Sequence, residues 1–309
     1  MRCAVLSLSL VAWMATPAAA APSCVEGTPY DAPALRAQIA ALAAPALDGR
    51  ATGSDGDTAG RALITERFAC LGLLPAGDDG GFAQAFTADR QATANLVGYI
   101  AGEGPHADDI IVVGAHHDHL GDGKLGANDD ASGVAALLAI AQAVRQHGAP
   151  ARTIAFVAFG GEELGMKGSA YFAAHPPAKL AMERVVYDVN LDMIGSYASA
   201  GAVYAMGTFA GLPGTKIMKA LASEHRTLHQ TLHIGLGGRG EGSDHEAFCT
   251  AGIPYVFFWT PDRRCYHAAC DTVERVDVVH AAAITEVAGA LVERLASSDD
   301  DLRTKRRCR

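Results

Sequence analysis

Two histidines and several carboxylates occur along this chain in a pattern typical of a binuclear metal centre. They lie in five short elements, which in chain order are His116-x-Asp118, Asp129-Asp130, Glu162-Glu163, Asp192 and Tyr266-His267. Neutral imidazole and carboxylate groups are the ligands that catalytic zinc sites use. A pair of such ions activates water for hydrolysis. The residue types therefore predict a two-zinc hydrolytic centre, with His116, Asp129, Asp192, His267 and one glutamate of the Glu162-Glu163 pair as candidate metal ligands.

The elements that must position these residues are predicted from the periodicity of apolar residues. Buried strands are predicted over residues 95–100, 109–115, 153–159, 185–191 and 253–259. Helices are predicted over 34–44, 57–72, 131–147, 167–183 (broken at Pro176-Pro177), 213–224 and 278–296. Alternating strands and helices indicate an α/β fold, with a mostly parallel, mixed central sheet and helices on both faces. Sites in such sheets form beyond the carboxyl ends of strands, where the candidate residues occur.

The first residues of the chain are typical of a signal peptide, which we assign to residues 1–21. Arg2 supplies a positive start, Cys3 to Met14 is mostly apolar, and small residues near Ala20 and Ala21 offer a cleavage site. The apolar run is too short to span a membrane. We therefore predict an exported protein, periplasmic or extracellular, in which residues 22–309 form one domain.

Charge argues against a nucleic-acid partner. The formal net charge of the 309-residue chain is −9, and loss of the signal peptide removes one arginine and no acid. No basic stripe is available to displace counterions from a phosphate backbone.

The predicted partner is a peptide substrate, and we expect a monomer.

The cysteine count suggests disulfides. Seven cysteines are present, and six remain after loss of Cys3. An even number in an exported chain favours paired cysteines. Cys265 and Cys270 bracket Tyr266-His267, so a bridge between them would clamp that loop. The pairing of the other four is not determined by the sequence: Cys24, Cys70, Cys249 and Cys308.

The first element combines a ligand with a supporting acid. His116 follows the strand that ends at Ala115, and strand alternation predicts that His117 points the other way. Asp118 is placed to orient the His116 imidazole through its second nitrogen.

The next two acidic pairs each have two interpretations. Asp129 lies in residues 126–133, directly before a predicted helix, and alone would be a helix cap or a metal ligand with equal weight. The upstream histidine element makes it a candidate bridge between two ions. Residues 160–165 place Glu162 and Glu163 after a buried strand, where one glutamate can bind metal and the other can act as general base.

The last two elements complete the set. Asp192 ends an apolar strand, and a lone buried carboxylate is costly unless it is paired or ligates a metal. His267 is the final ligand candidate, and the neighbouring Tyr266 phenol can donate to a developing oxyanion.

Other nucleophile and phosphate motifs are absent from the sequence. Ser243, Asp244 and His245 are consecutive and so cannot converge as a catalytic triad, and no G-x-S-x-G element occurs. Residues 235–242 lack the GK[ST] ending of a phosphate-binding loop. Asp244 and His245 are instead predicted to brace the site or to start a helix near Phe248.

The ordered set resembles the M28 family of zinc peptidases, in its secreted aminopeptidase branch. The matching stretches are LDGRATGSDGDTAG (47–60), GAHHDHLG (114–121), GANDDASGV (126–134), FGGEELGMKGS (159–169), NLDMIG (190–195), SDHEAF (243–248) and CYHAACDT (265–272). The resemblance implies the fold of zinc-dependent exopeptidases. It also implies two zinc ions: His116 and Asp192 on one, Glu163 and His267 on the other, and Asp129 between them.

The resemblance further implies roles for the residues around the ligands. Glu162 would be the general base, Asp118 the supporting carboxylate and Tyr266 the oxyanion donor. It also implies a cis peptide between Asp129 and Asp130. Met193, Phe248, Phe257 and Trp259 are candidates for an apolar pocket, although core packing is favoured for most of them.

These features predict an exported di-zinc aminopeptidase that hydrolyses N-terminal residues by means of activated water. Two alternatives keep the fold: a glutaminyl cyclase-like acyltransferase with one zinc, and a carboxypeptidase in which Arg239, Arg263 or Arg264 grips a terminal carboxylate. Gly242 departs from the family pattern, in which relatives often carry arginine, and leaves that contact open. A non-catalytic zinc-stabilised binding domain is disfavoured by the glutamate pair Glu162-Glu163.

Overall fold

A mixed nine-stranded sheet forms the centre of the computed structural model, which describes residues 28–208, 211–235 and 242–303. The spatial order of the strands is β1-β3-β5-β4-β6-β9-β7-β8, with β2 paired to β3. Their bounds are β1 Leu74–Pro75, β2 Ala83–Ala88, β3 Gln91–Ile100, β4 Ile110–His116, β5 Thr153–Phe159, β6 Val185–Leu191, β7 Val203–Met206, β8 Leu232–Ile234 and β9 Tyr255–Trp259.

The four central strands β5, β4, β6 and β9 are parallel, whereas β3 and β7 join this group in antiparallel orientation. In β4, Ile111 and Val113 face one apolar cluster, and Ile110 and Val112 face another. A strand covered on both faces has to be apolar throughout, which explains its continuous hydrophobic sequence.

Helices cover both faces of the sheet. Their bounds are α1 Ala32–Leu42, α2 Asp55–Cys70, α3 Ala131–His147, α4 Lys167–Ala174, α5 Tyr197–Ala200, α6 Pro213–Glu224, α7 His245–Thr250 and α8 Val278–Ser297. Helices α1, α3, α6 and α8 pack together on one side, and α4 and α7 pack on the other. Within the described ranges, no helix is both long and apolar enough to cross a bilayer.

The predicted fold class is confirmed, and several predicted bounds coincide with the structure. Helices α3 and α6 and strands β5 and β6 begin and end where periodicity placed them. Strands β1, β2, β7 and β8 were not predicted. The signal peptide assigned to residues 1–21 lies outside the described residues.

A disulfide joins Cys265 to Cys270 and closes the loop that carries Tyr266 and His267, as the spacing predicted. Cys70 and Cys249 are also disulfide-bonded. Cys24 and Cys308, which the sequence left unassigned, lie outside the described residues.

Candidate metal centre

The candidate ligands meet at the carboxyl ends of the parallel strands. His116 is the last residue of β4, and Asp192 directly follows β6. Strand β5 pairs with β4 so that Phe159 lies beside His116, which brings the turn holding Glu163 to the same edge. The parallel arrangement therefore gathers residues that are far apart in sequence.

One group of ligands surrounds the His116 imidazole. His116 Nε2 lies 3.2 Å from Asp129 Oδ1 and 3.5 Å from Asp192 Oδ1. The side chains of His116 and Asp192 are 1% and 11% exposed. This nitrogen and the two oxygens form one buried set of donors.

A second group surrounds His267. Its Nε2 lies 3.3 Å from Asp129 Oδ2 and 3.0 Å from Glu163 Oε2. Asp129 thus presents one oxygen to each group, which is the arrangement expected of a carboxylate that bridges two cations.

Both groups of donor atoms have features that favour a bound cation. Within the described part of the chain, the buried atoms Asp129 Oδ2 and Asp192 Oδ1 lack hydrogen-bond partners. An unpaired buried carboxylate oxygen is costly, and a bound cation removes that cost. Burial lowers the pKa of His116, but Asp192 and Asp129 raise it well above its ordinary value. The surroundings therefore favour positive charge at this point.

Two further residues join the cluster that were not assigned as ligands from the sequence. Ligand atoms of Asp130, His116 and Asp192 lie within 4.8 Å of one another. The same holds for His119, Asp129 and Glu163. Asp130 already caps α3 by accepting from the Gly133 amide at 2.8 Å. His119 Nδ1 lies 2.8 Å from Glu163 Oε1. The only sequence signal for His119 was its nearness to His116.

The peptide between Asp129 and Asp130 is cis, as the resemblance implied. A carboxylate from the disulfide-loop region holds the backbone just before it. Asp271 accepts hydrogen bonds from the amides of Asn128 at 2.8 Å and Asp129 at 3.0 Å. Asp271 therefore links the position of the candidate bridge to the segment that follows His267.

Asp118 supports the site differently from the prediction. The backbone carbonyl of Asp118 accepts from His116 Nδ1 at 3.1 Å, whereas its carboxylate is 3.9 Å away. The carbonyl fixes the tautomer, so that Nε2 is free to bind metal. The Asp118 carboxylate instead accepts from the amides of Glu162 and Glu163, at 3.1 and 3.4 Å, and holds their turn.

His117 points away from the cluster, as strand alternation predicted, and donates from Nε2 to the carbonyl of Ala94 at 3.0 Å. Ser243 donates to Asp192 Oδ2 at 2.8 Å, and His245 opens α7 with its ring against Tyr255 and Phe257. The Ser243-Asp244-His245 stretch thus supports the site and starts a helix.

A cavity of about 420 Å³ opens over the cluster. It is lined by His116, Asp129, Glu162, Asp192, Met193, Tyr204, Gly242, Phe257, Trp259, Pro261, Asp262, Arg263, Tyr266 and His267. Met193, Phe257 and Trp259 contribute to the cavity wall, and Met193 and Phe257 are at the same time buried, so the preference for core packing holds for these two as well. It also holds for Phe248, which packs against Phe159 and Phe172.

Two groups in the cavity have pKa values shifted by their surroundings. Burial raises the pKa of Glu162 to about 9, although nearby His116 lowers it. Nearby cations would lower this pKa and favour the basic carboxylate. Burial and four carboxylates, beginning with Asp129, raise the pKa of Tyr266, so its phenol remains a donor.

Of the arginines proposed for a terminal carboxylate, Arg263 lines the cavity and Arg264 does not. Arg239 lies outside the described residues.

Comparisons with known proteins show which proteins this chain resembles. Aminopeptidase YwaD from Bacillus subtilis is 30% identical over 70% of this chain and 45% of its own length. Leupeptin-inactivating enzyme 1 from Streptomyces exfoliatus is 30% identical over 85% of this chain and 63% of its own length. The solved structure of BSAP, a zinc aminopeptidase from Bacillus subtilis, has a TM-score of 0.72 at 19% identity, covering 89% of this chain and 97% of BSAP.

The chain spans between about half and two thirds of the length of these two curated relatives. The likeness to BSAP shows a shared α/β fold. A sequence model described as Peptidase family M28 matches residues 95–292, which is more than half of the chain. By this match, the chain belongs to peptidase family M28.

Proposed function

We propose that this protein is an exopeptidase that removes N-terminal residues from peptides with the help of two zinc ions. The observation that carries the proposal is the division of Asp129, whose two carboxylate oxygens face two separate groups of donors. His116 and Asp192 would hold one ion and Glu163 and His267 the other, with Asp129 shared. Bound zinc would polarise the scissile carbonyl and lower the pKa of water.

The surrounding residues supply the proton transfers. Glu162 lines the cavity beside the two donor groups, where it would accept a proton from the attacking water. It would then return that proton to the leaving amine. The Tyr266 phenol lines the same cavity and would donate a hydrogen bond to the oxygen of the tetrahedral intermediate.

The cavity favours a free N-terminus in the substrate. Beside the proposed ligands, its lining includes the carboxyl groups of Glu162 and Asp262, so a positively charged α-amine would be stabilised there. Its wall includes the apolar side chains of Phe257 and Trp259, which suit an apolar first side chain.

We also propose that the protein acts outside the cytoplasm. The sequence pattern of residues 1–21 supports export, and the Cys265–Cys270 disulfide is the kind of bond that persists in an oxidising compartment.

Glu162→Gln tests the catalytic assignment. We expect the variant to keep its zinc and to lose about 10²- to 10⁴-fold in turnover of amino-acid anilides, because the amide is no base. Glu183→Gln, on an exposed turn, serves as the matched control and should behave as wild type. A chelator should abolish wild-type turnover, and added zinc should restore it.

Near-normal turnover in Glu162→Gln would contradict the base assignment. Ammonia release from peptides with N-terminal glutamine, together with one zinc per chain, would contradict the peptidase and favour a cyclase. Cleavage of N-acetylated peptides from their C-terminus would favour a carboxypeptidase.

A further inference from the structure

A fully buried arginine lies behind the metal centre, in a part of the chain that precedes the family match. Arg50 is 0% exposed and lies between α1 and α2, whereas the match begins at residue 95. A buried guanidinium is costly unless its donors are all satisfied. Its backbone has a φ of +58°, in the left-handed region that residues other than glycine seldom adopt. Both features indicate a position held by specific contacts.

The guanidinium joins the two loops that carry His116 and Asp129. Arg50 Nε donates to the carbonyl of His117 at 2.7 Å, one residue after His116. Nη2 donates to the carbonyl of Gly126 at 2.9 Å, and Nη1 to that of Leu125 at 3.0 Å. A single planar group thus fixes the loop after β4 against the loop that leads to Asp129.

The positive charge of Arg50 lies near the candidate ligands, but its guanidinium makes no hydrogen bond to their carboxylates. Burial lowers its pKa, and Asp118, Asp130, Asp129 and Asp271 raise it. Within the described residues, every hydrogen bond from the guanidinium goes to a backbone carbonyl. The positive charge therefore offsets part of the repulsion among the carboxylates and leaves their oxygens open.

Thr52, two residues after Arg50, makes a second contact with the loop that follows β4. Its hydroxyl donates to Asp118 Oδ2 at 2.7 Å. The Asp118 carboxylate in turn holds the amides of Glu162 and Glu163. Through this chain of contacts, Thr52 reaches the turn that carries the second group of donors.

We propose that the segment Arg50–Thr52 is a positioning element for the metal centre, although none of its side chains is a ligand. Arg50 sets the separation between His116 and Asp129, and Thr52 sets the orientation of the Glu162-Glu163 turn. The proposal rests on the proposed zinc site. It predicts that changes in this segment lower zinc affinity in protein that is still folded, since partners that orient metal ligands typically contribute 10- to 100-fold in affinity.

The chain offers a matched control for Arg50. Arg152 is also buried, at 1% exposure, and donates to the carbonyls of Leu295 and Asp300. It directly precedes β5, at the end of that strand opposite the metal centre. Lysine at either position keeps the charge but cannot reproduce the planar set of donors.

Zinc affinity of each variant is measured by competition with a chromophoric chelator, and folding by circular dichroism and Tm. We expect Arg50→Lys to bind zinc at least tenfold more weakly, whereas Arg152→Lys loses thermal stability and keeps wild-type zinc affinity. Equal zinc affinity in these two variants would show that Arg50 is merely structural and would overturn the proposal.

Thr52 keeps the test decisive if Arg50→Lys does not fold. Thr52→Val removes the hydroxyl with little change in volume, and Thr52→Ser retains the hydroxyl. We expect weaker zinc binding in the first and wild-type affinity in the second; wild-type affinity in both would overturn the proposal. Because the readout is zinc binding, a wild-type protein that binds two zinc ions but hydrolyses no peptide would refute the proposed function alone.

Discussion

The two donor groups of the candidate metal centre, which we call its two halves, are built in different ways. His116 ends a buried central strand and its side chain is 1% exposed, whereas His267 lies in a six-residue disulfide loop and is 34% exposed. The first half is fixed by the sheet, which also holds Asp192 at the end of the neighbouring strand. The second half depends on a covalent clamp at the surface. Of the two proposed ions, we therefore expect the one at His116 to bind more tightly and to exchange more slowly.

Asp129→Ala removes the residue that the halves share, and we expect the largest effect. Both ions should bind more than about 100-fold more weakly, because even residues that only orient a metal ligand contribute 10- to 100-fold. Peptide hydrolysis should disappear with them. Zinc content after gel filtration measures the loss, and Asp55→Ala, on an exposed first turn of α2, is the control. Two retained ions would refute a shared ligand.

Replacement of both Cys265 and Cys270 by serine should affect only the half of the centre that contains His267. The loop would gain conformational freedom, so we expect the affinity for one ion to fall about tenfold while the other is unchanged. Competition titration resolves the two steps. An equal loss of both ions would show that the sheet-held half also depends on the loop.

The same division explains which parts of the centre could be predicted from the sequence. Strand β6 is rich in valine and is directly followed by Asp192, and α3 starts at a cap and ends before Gly148, so local signals marked both. Strands β7 and β8 have four and three residues, too few for a periodic signal. Their place in the sheet depends on pairing with β9 and with each other.

Contacts that depend on the path of the folded backbone could not be predicted from the sequence. The turn after β4 brings the Asp118 carbonyl closer to His116 than its carboxylate, which the spacing of the two residues did not predict. Arg50 meets His117 across 67 residues of chain. The approach of His119 to Glu163 likewise depends on how β4 and β5 are aligned.

The most direct test of the proposed two-ion site is a zinc titration of the metal-free protein, followed by metal analysis of the saturated form. If Asp129 is shared, two zinc ions should bind per chain in two steps, and His267→Ala should selectively weaken the weaker step further. Saturation at one zinc per chain, or an equal effect of His267→Ala on both steps, would contradict a pair of ions shared by Asp129.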